Sequence, residues 1–89
     1  MKDERGNYYY PNPAQKRTRM YVRKNFGVIE FRLYSPDNPE IWERHGWLAM
    51  DVVRAAAALA VKEGKGDAAL ALYDERVAVA LLRDEDPLL

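Results

Sequence analysis

The fold is decided by the stretch RTRMYVRKNFGVIEFRLY, residues 17–34. Apolar and polar side chains alternate through residues 17–23 and again through residues 28–34, which is the period of a strand with one buried face. Between these runs, Asn25 and Gly27 both tolerate the positive φ of a tight turn. The stretch therefore predicts an antiparallel β-hairpin.

The pairing register of this hairpin can be predicted from which side of each strand is apolar. The apolar sides of the two strands must coincide, so the numbers of paired residues must sum to an odd value. A turn over residues 24–27 sets that sum at 51. The predicted opposite pairs are Val22 with Ile29, Met20 with Phe31, and Arg19 with Arg32. Two opposed arginines are mildly destabilising unless an anion or a carboxylate lies between them.

The outer face of the hairpin is basic and interleaved with aromatic side chains. Its residues are Arg17, Arg19, Tyr21, Arg23, Arg32 and Tyr34. Strand ribbons that carry arginine and tyrosine suit phosphate groups and unpaired bases, and they equally suit the acidic surface of a protein. Arginine on an exposed strand is also ordinary protection against aggregation. These six residues are the candidate site for a protein partner or nucleic acid, with a plain solvated face as the alternative.

The chain before the hairpin resembles an arm. Pro11 and Pro13 favour extended backbone that cannot donate to the interior of a sheet. Three consecutive tyrosines precede them and would dock on this domain or on a partner; the alternative is a partly disordered tail. The predicted organisation is a flexible arm over 1–16, a single small α+β domain over 17–83 and an acidic frayed tail over 84–89.

A helix follows the hairpin. Asn38 is a good N-cap, Pro39 suits the first helical position, and Gly46 suits the position just past a helix end. These signals predict a short helix that ends at His45. The alternative is one helix over residues 39–63, because glycine inside a helix costs only about 1 kcal/mol.

Two further helices complete the predicted domain. One runs from about residue 48 or 50 to Glu63 and is ended by Gly64, with an inner side formed by Val53, Ala56, Ala57, Ala60 and Val61. The last runs over residues 68–83 after Asp67 as N-cap. Its predicted core stripe is Leu70, Tyr73, Val77 and Leu81.

The last predicted helix is apolar on most of its sides. Such a helix needs more than one neighbour, and a small domain offers few. Homodimerisation through this helix is therefore predicted. The two tryptophans beside the only histidine form a second cluster, which is read as packing on the hairpin or as a binding hot spot. The candidate interface residues are Trp42, His45, Trp47, Leu72, Val79 and Leu82.

The formal charge of the 89-residue chain is zero, with 14 basic and 14 acidic residues. The charge is unevenly distributed, since residues up to Ser35 carry +5 and residues from Pro36 onward carry −5. A zero net charge argues against nucleic-acid or membrane binding by general basicity. The asymmetry favours either an anionic partner for the first half or pairing between the two halves.

The residues available for chemistry are few. The chain has no cysteine, one serine (Ser35), one threonine (Thr18) and one histidine (His45). No nucleophile elbow surrounds Ser35, and no spacing matches a metal site or a phosphate-binding loop. We therefore expect no enzyme activity, cofactor, metal or small-molecule substrate.

The sequence thus predicts an α+β fold in which an arm and an antiparallel hairpin are followed by two or three helices packed on one face. We expect a cytoplasmic protein without a membrane span, because cysteine is absent and no apolar run approaches about 18 residues. The expected function is a non-catalytic interaction or assembly module that binds a protein partner or itself. The alternative is a nucleic-acid-binding protein that uses the outer face of the hairpin.

Overall fold

The computed structural model describes residues 1–64 and 72–85. It contains an antiparallel sheet of five strands in the order β1-β2-β3-β4-β5, so each strand pairs with its neighbours in sequence. The strands are β1 (Lys2–Asp3), β2 (Gly6–Tyr9), β3 (Arg19–Asn25), β4 (Val28–Tyr34) and β5 (Leu48–Ala49). The helices described are α1 (Glu40–His45), α2 (Met50–Lys62) and α3 (Glu75–Glu85). The predicted α+β class is confirmed.

The predicted hairpin is formed by β3 and β4, but its register differs from the prediction. The loop consists of Phe26 and Gly27, with φ of 51° and 79°, which is the pattern of a type I′ turn. The turn is thus centred one residue later than expected, and paired residue numbers sum to 53 rather than 51. The parity is still odd, so the apolar faces coincide as predicted. The observed pairs include Val22 with Phe31, Met20 with Leu33, Tyr21 with Arg32, and Arg19 with Tyr34.

The prediction of a flexible arm is wrong for residues 2–9, which form β1 and β2. β2 pairs with β3 and places Tyr8 opposite Tyr21 and Tyr9 opposite Met20. Tyr8 and Tyr9 are each only 9% exposed, so the tyrosines are part of the domain. The two prolines that suggested an arm come after the strand, in the connection to β3, where no ladder hydrogen bond is required.

The first two helices are separate, and the alternative of one helix over residues 39–63 is wrong. α1 ends at Gly46, whose φ of 58° lies outside the helical region, and β5 follows before α2 begins. The start of α1 differs from the prediction, because it has no side-chain cap hydrogen bond. The backbone N–H of Ile41 donates instead to the Asn38 carbonyl oxygen at 3.1 Å.

The last helix begins later than predicted, at Glu75. Its N-cap is Asp74, whose Oδ1 accepts hydrogen bonds from the backbone N–H groups of Arg76 at 3.0 Å and Val77 at 3.2 Å. α3 continues to Glu85, so the first two residues of the predicted tail are helical. The predicted cap Asp67, the stripe residue Leu70 and the rest of the tail lie outside the described residues.

The core lies between one face of the sheet and two helices, α2 and α3, which agrees with the predicted packing. Its buried residues are Tyr9, Met20, Val22, Phe31, Val53, Ala78 and Leu82. α1 lies toward the opposite, outer face, where its Trp42 contacts Tyr21. No helix of the described residues is long and apolar enough to cross a membrane.

Candidate interaction surfaces

The outer face of the sheet is covered rather than open to solvent. Tyr21, a residue of the predicted site, is completely buried. Its ring lies 5.4 Å from that of Tyr8 on β2 and 5.3 Å from that of Trp42 on α1, measured between ring centres. The sequence pattern does not reveal this cover, because it assigns Tyr8 to an arm and does not show on which face of the hairpin Trp42 packs. Tyr21 is therefore not available to a partner.

Most arginines of the predicted site already have carboxylate partners. Arg19 lies 2.8 Å from Asp3, Arg23 lies 2.6 Å from Glu30, and Arg17 lies 2.8 Å from Asp37. The Arg17 pair is mostly exposed and lies outside the strands, at the start of the β3 side of the hairpin. Cross-strand pairing explains the second contact, since Arg23 and Glu30 are directly opposite in the observed register. The opposed arginines expected from the predicted register do not occur.

Arg32 is held by α1 rather than by another strand. Its Nε donates a 2.8 Å hydrogen bond to the carbonyl oxygen of Trp42, and its Nη2 donates one of 2.5 Å to the same oxygen. The carboxylate of Glu43 lies 3.9 Å away. Because that carbonyl lies near the C-terminal end of a short helix, the Arg32 cation also interacts favourably with the negative end of the helix dipole.

Three outer-face arginines and Arg5 also stack on aromatic rings. The guanidinium carbon lies 4.6 Å from the ring centre in the Arg19–Tyr8 pair, 4.3 Å in Arg23–Trp47, 4.0 Å in Arg32–Trp42 and 4.5 Å in Arg5–Tyr34. These are cation–π distances. We call these eight residues the arginine–aromatic layer. Arg5 was not predicted to be part of any site, because no pattern in the sequence links it to the hairpin.

The electrostatics of the layer centre on Asp3. Burial by itself would raise the pKa of this carboxyl, but hydrogen bonds from the Tyr21 hydroxyl at 2.5 Å and the Arg5 backbone N–H at 2.8 Å outweigh it, and so does the charge of Arg19. The pKa of Asp3 is therefore lowered. Burial and donation to Asp3 raise the pKa of Tyr21. The ionised carboxylate and the neutral phenol are thus the stable forms at neutral pH.

The charges of the layer nearly cancel. It contains four guanidinium groups, and the three carboxylates that contact it belong to Asp3, Glu30 and Glu43. The net charge of this face is therefore about +1, far below the charge suggested by the arginines alone. Arg5 is exposed and has no ion pair with another described residue, so it accounts for the excess.

The predicted interface residues are not brought together on one surface. Leu82 is 6% exposed and belongs to the core, so its side chain is not accessible for the predicted dimer contact. The reason is that α3 turns this residue toward the sheet. Leu72 packs at the margin of the core, Val79 is half-buried, and Trp42 and Trp47 pack against each other with ring centres 6.1 Å apart.

His45 is exposed at the end of α1 and borders an apolar cavity of about 300 Å³. The cavity lies between α1, β4 and the segment before α3, and most of its lining is apolar, with Phe31, Leu33, Ile41, Leu48, Leu72 and Tyr73. Within the described residues, no group of three or more histidines and carboxylates is placed to hold a metal ion.

Phe26 lies at the tip of the hairpin, where the sequence pattern predicts a turn but no site. Its side chain is 98% exposed. Its φ of 51° lies in the left-handed region, which L-residues other than asparagine and aspartate adopt at a cost. The available signal was its position before Gly27, where two-residue turns usually carry asparagine or aspartate.

Comparison of the chain with protein-family models, with curated proteins and with solved structures finds no match.

Proposed function

We propose that this chain is a non-catalytic protein-interaction module, anchored to its partner by Phe26 at the tip of the β3–β4 hairpin. The observation that carries the proposal is the combination of an exposed fraction of 98% with a φ of 51°. The ring adds nothing to the core, and the backbone conformation costs about 1 kcal/mol. Because the backbone of Phe26 costs stability and its ring packs against nothing in the fold, we infer that the residue serves binding. A protruding aromatic ring is typical of interface hot spots.

The charge balance favours a protein partner over nucleic acid. A nucleic-acid surface gains affinity by neutralising phosphates with free cations. Here Arg19, Arg23 and Arg32 are held by carboxylates or by a carbonyl oxygen, and Tyr21 has no exposed face for stacking. The arginine–aromatic layer in this proposal is a rigid support that orients the hairpin, and Arg5 is the arginine in it that is classed as exposed.

We propose no catalytic activity for this chain. Ser35, just after β4, is only 8% exposed, and His45 borders a mainly apolar cavity, so neither supports a proposed nucleophile or base. A cytoplasmic setting belongs to the proposal, in keeping with the absence of cysteine from all 89 residues.

Site-specific photocross-linking in the cells that produce the protein tests the proposal. A benzophenone amino acid in place of Phe26 keeps an aromatic ring at the hairpin tip, and the same group in place of the exposed Ala58 is the control. We expect a discrete protein adduct from position 26 that excess wild-type chain suppresses and excess Phe26→Asn chain does not. Absence of an adduct, or equal adducts from both positions, contradicts the proposal.

Titration of single- and double-stranded oligonucleotides at two salt concentrations tests the alternative. The interaction-module proposal predicts no binding at low salt. Salt-dependent binding that Arg5→Ala weakens would instead favour a nucleic-acid-binding function, since a lost phosphate contact lowers the salt slope by about one unit. The matched control is Arg17→Ala, which removes an equal charge outside the arginine–aromatic layer.

A further inference from the structure

The α2 helix carries an apolar stripe that the described residues of the fold leave uncovered. Val52 is 53% exposed and Leu59 is 56% exposed, and Ala55 and Ala56 between them are also exposed. The spacing i, i+3, i+4, i+7 places all four on one side of the helix. The side that packs on the sheet is a different one, which carries Val53 at 6% exposure. α2 therefore has two apolar sides, and the described residues cover only one.

We propose that this stripe binds the same stripe of a second copy of the chain, with the two helices antiparallel. The stripe is nearly symmetric, since a larger side chain stands at each end and two alanines stand in the middle. A two-fold axis at its centre would set Val52 against Leu59 of the second copy. The small central residues would let the helix axes approach to about 8 Å, the close end of the range for packed helices. Such a contact uses the same surface on both copies, so association stops at the dimer.

The charges at the ends of α2 suit the antiparallel arrangement. Asp51 lies in the first turn and Lys62 in the last, and both are exposed. In an antiparallel pair each of these residues lies beside its opposite charge on the second copy. A parallel pair would bring like charges together and align the two helix dipoles. The zero net charge of the chain adds no repulsion between copies.

The size of the stripe sets the strength of the expected dimer. Four residues extend over about 10 Å of helix, so the contact falls well short of the roughly 800 Å² per partner of a standard interface. We therefore expect a reversible dimer with a dissociation constant on the order of 100 µM. This surface is different from the α3 surface predicted from the sequence, and it is separate from the Phe26 anchor.

Sedimentation velocity of the full chain, from about 5 to about 500 µM, tests the dimer. Leu59→Glu would place a carboxylate against Val52 and near Asp51 of the second copy, and we expect it to raise the dissociation constant at least tenfold, or about 1.4 kcal/mol. The matched control is Ala58→Glu, an equal charge change on the neighbouring exposed side, which should leave dimerisation unchanged. Wild-type chain that stays monomeric, or equal effects of the two variants, overturns the proposal.

Disulfide trapping tests the antiparallel arrangement, because the natural chain has no cysteine. A mixture of the Val52→Cys and Leu59→Cys variants should form a mixed disulfide dimer faster than either variant alone. Faster linking of Val52→Cys to itself would overturn the antiparallel pairing. The Phe26→Asn variant should dimerise like the wild type, so failure of the dimer and failure of the proposed function are observed separately.

Discussion

The Tyr9 hydroxyl joins β2 to the start of α3. It donates a hydrogen bond of 2.5 Å to the Leu72 carbonyl oxygen and accepts one of 2.8 Å from the Asp74 backbone N–H. The ring itself lies in the core. One side chain therefore satisfies two backbone groups just before the helix begins, and it connects parts of the chain separated by 63 and 65 residues.

We expect Tyr9→Phe to lower the free energy of unfolding by about 1–2 kcal/mol. The ring would still fill its place, but the Leu72 carbonyl and the Asp74 N–H would lose their partner in a part-buried position. Urea denaturation of the two proteins at pH 7 measures the difference. The control is Tyr10→Phe, because the Tyr10 hydroxyl is not among the groups that bond to Leu72 or Asp74; equal losses in both variants would contradict the assignment.

The same hydroxyl makes stability depend on alkaline pH. Burial, with smaller contributions from the charges of Asp74 and Tyr73, raises the pKa of Tyr9 from 10.0 to about 12. The folded protein thus favours the neutral phenol, so its stabilising effect is complete below about pH 10 and is lost as pH rises to about 12. We expect the stability difference between wild type and Tyr9→Phe to shrink across this window. Other tyrosines with raised pKa values affect both proteins alike, and a constant difference would contradict the prediction.

The β3–β4 turn shows how one backbone conformation sets the pairing of two strands. Phe26 and Gly27 both have positive φ, and a two-residue loop at these positions fixes Asn25 opposite Val28. The sequence predicts a turn over residues 24–27, because Asn25 and Gly27 both tolerate positive φ. The structure instead uses Phe26, and the whole register moves by two.

We expect Phe26→Asn to raise the free energy of unfolding by about 0.5–1 kcal/mol. Asparagine adopts the left-handed conformation at lower cost, and asparagine followed by glycine is the preferred type I′ pair. Phe26→Ala removes the ring but keeps the conformational cost, so it should leave stability nearly unchanged. Thermal and urea unfolding of both variants measures this; a loss of stability in Phe26→Asn would contradict the observed turn.

The start of α3 depends on the Asp74 cap. Its carboxylate accepts two backbone hydrogen bonds from the first turn, and its negative charge suits the positive end of the helix dipole. We expect Asp74→Ala to destabilise the protein by about 1 kcal/mol and Asp74→Ser to retain most of the stability. Chemical denaturation distinguishes them. If the helix instead continued upstream through this residue, alanine would be neutral or stabilising.

The molecule as a whole is a five-stranded sheet in which the N-terminal segment is a structural part. Tyr8 covers Tyr21 on the outer face, and Tyr9 fills the core on the other. Each buried tyrosine is worth roughly 3 kcal/mol. The total stability of a domain of this length is roughly 4–13 kcal/mol. We therefore expect the domain not to fold stably without this segment.

Deletion of residues 1–9 should abolish cooperative unfolding. The deletion uncovers Tyr21 and the edge of β3 together, and it removes the hydrogen bonds that hold the segment before α3. Thermal unfolding followed by circular dichroism measures the effect, with Pro13→Ala in the connection as a control that should unfold cooperatively. If the truncated chain unfolded with the same cooperative transition as the wild type, this segment would be a dispensable arm instead.

The sequence by itself determined the local features of this protein. The two-residue period of residues 17–34 predicted the central hairpin and which face is buried, and Gly46 predicted a separate short helix. The scarcity of nucleophiles and metal ligands also follows from the sequence alone. These features depend on neighbouring residues and on backbone preferences, so they are visible in a linear pattern.

Only the tertiary structure decided the register of the hairpin and the addition of β1 and β2 to the sheet. It also decided the burial and the charge neutralisation of the basic face. Tyr21 became buried because Tyr8 and Trp42, which lie on opposite sides of the hairpin in the chain, pack over it. The arginines became neutralised because Asp3 and Glu30 lie beside them only in the folded sheet. Pairings between distant segments depend on the packing of the whole chain, which local periodicity does not specify.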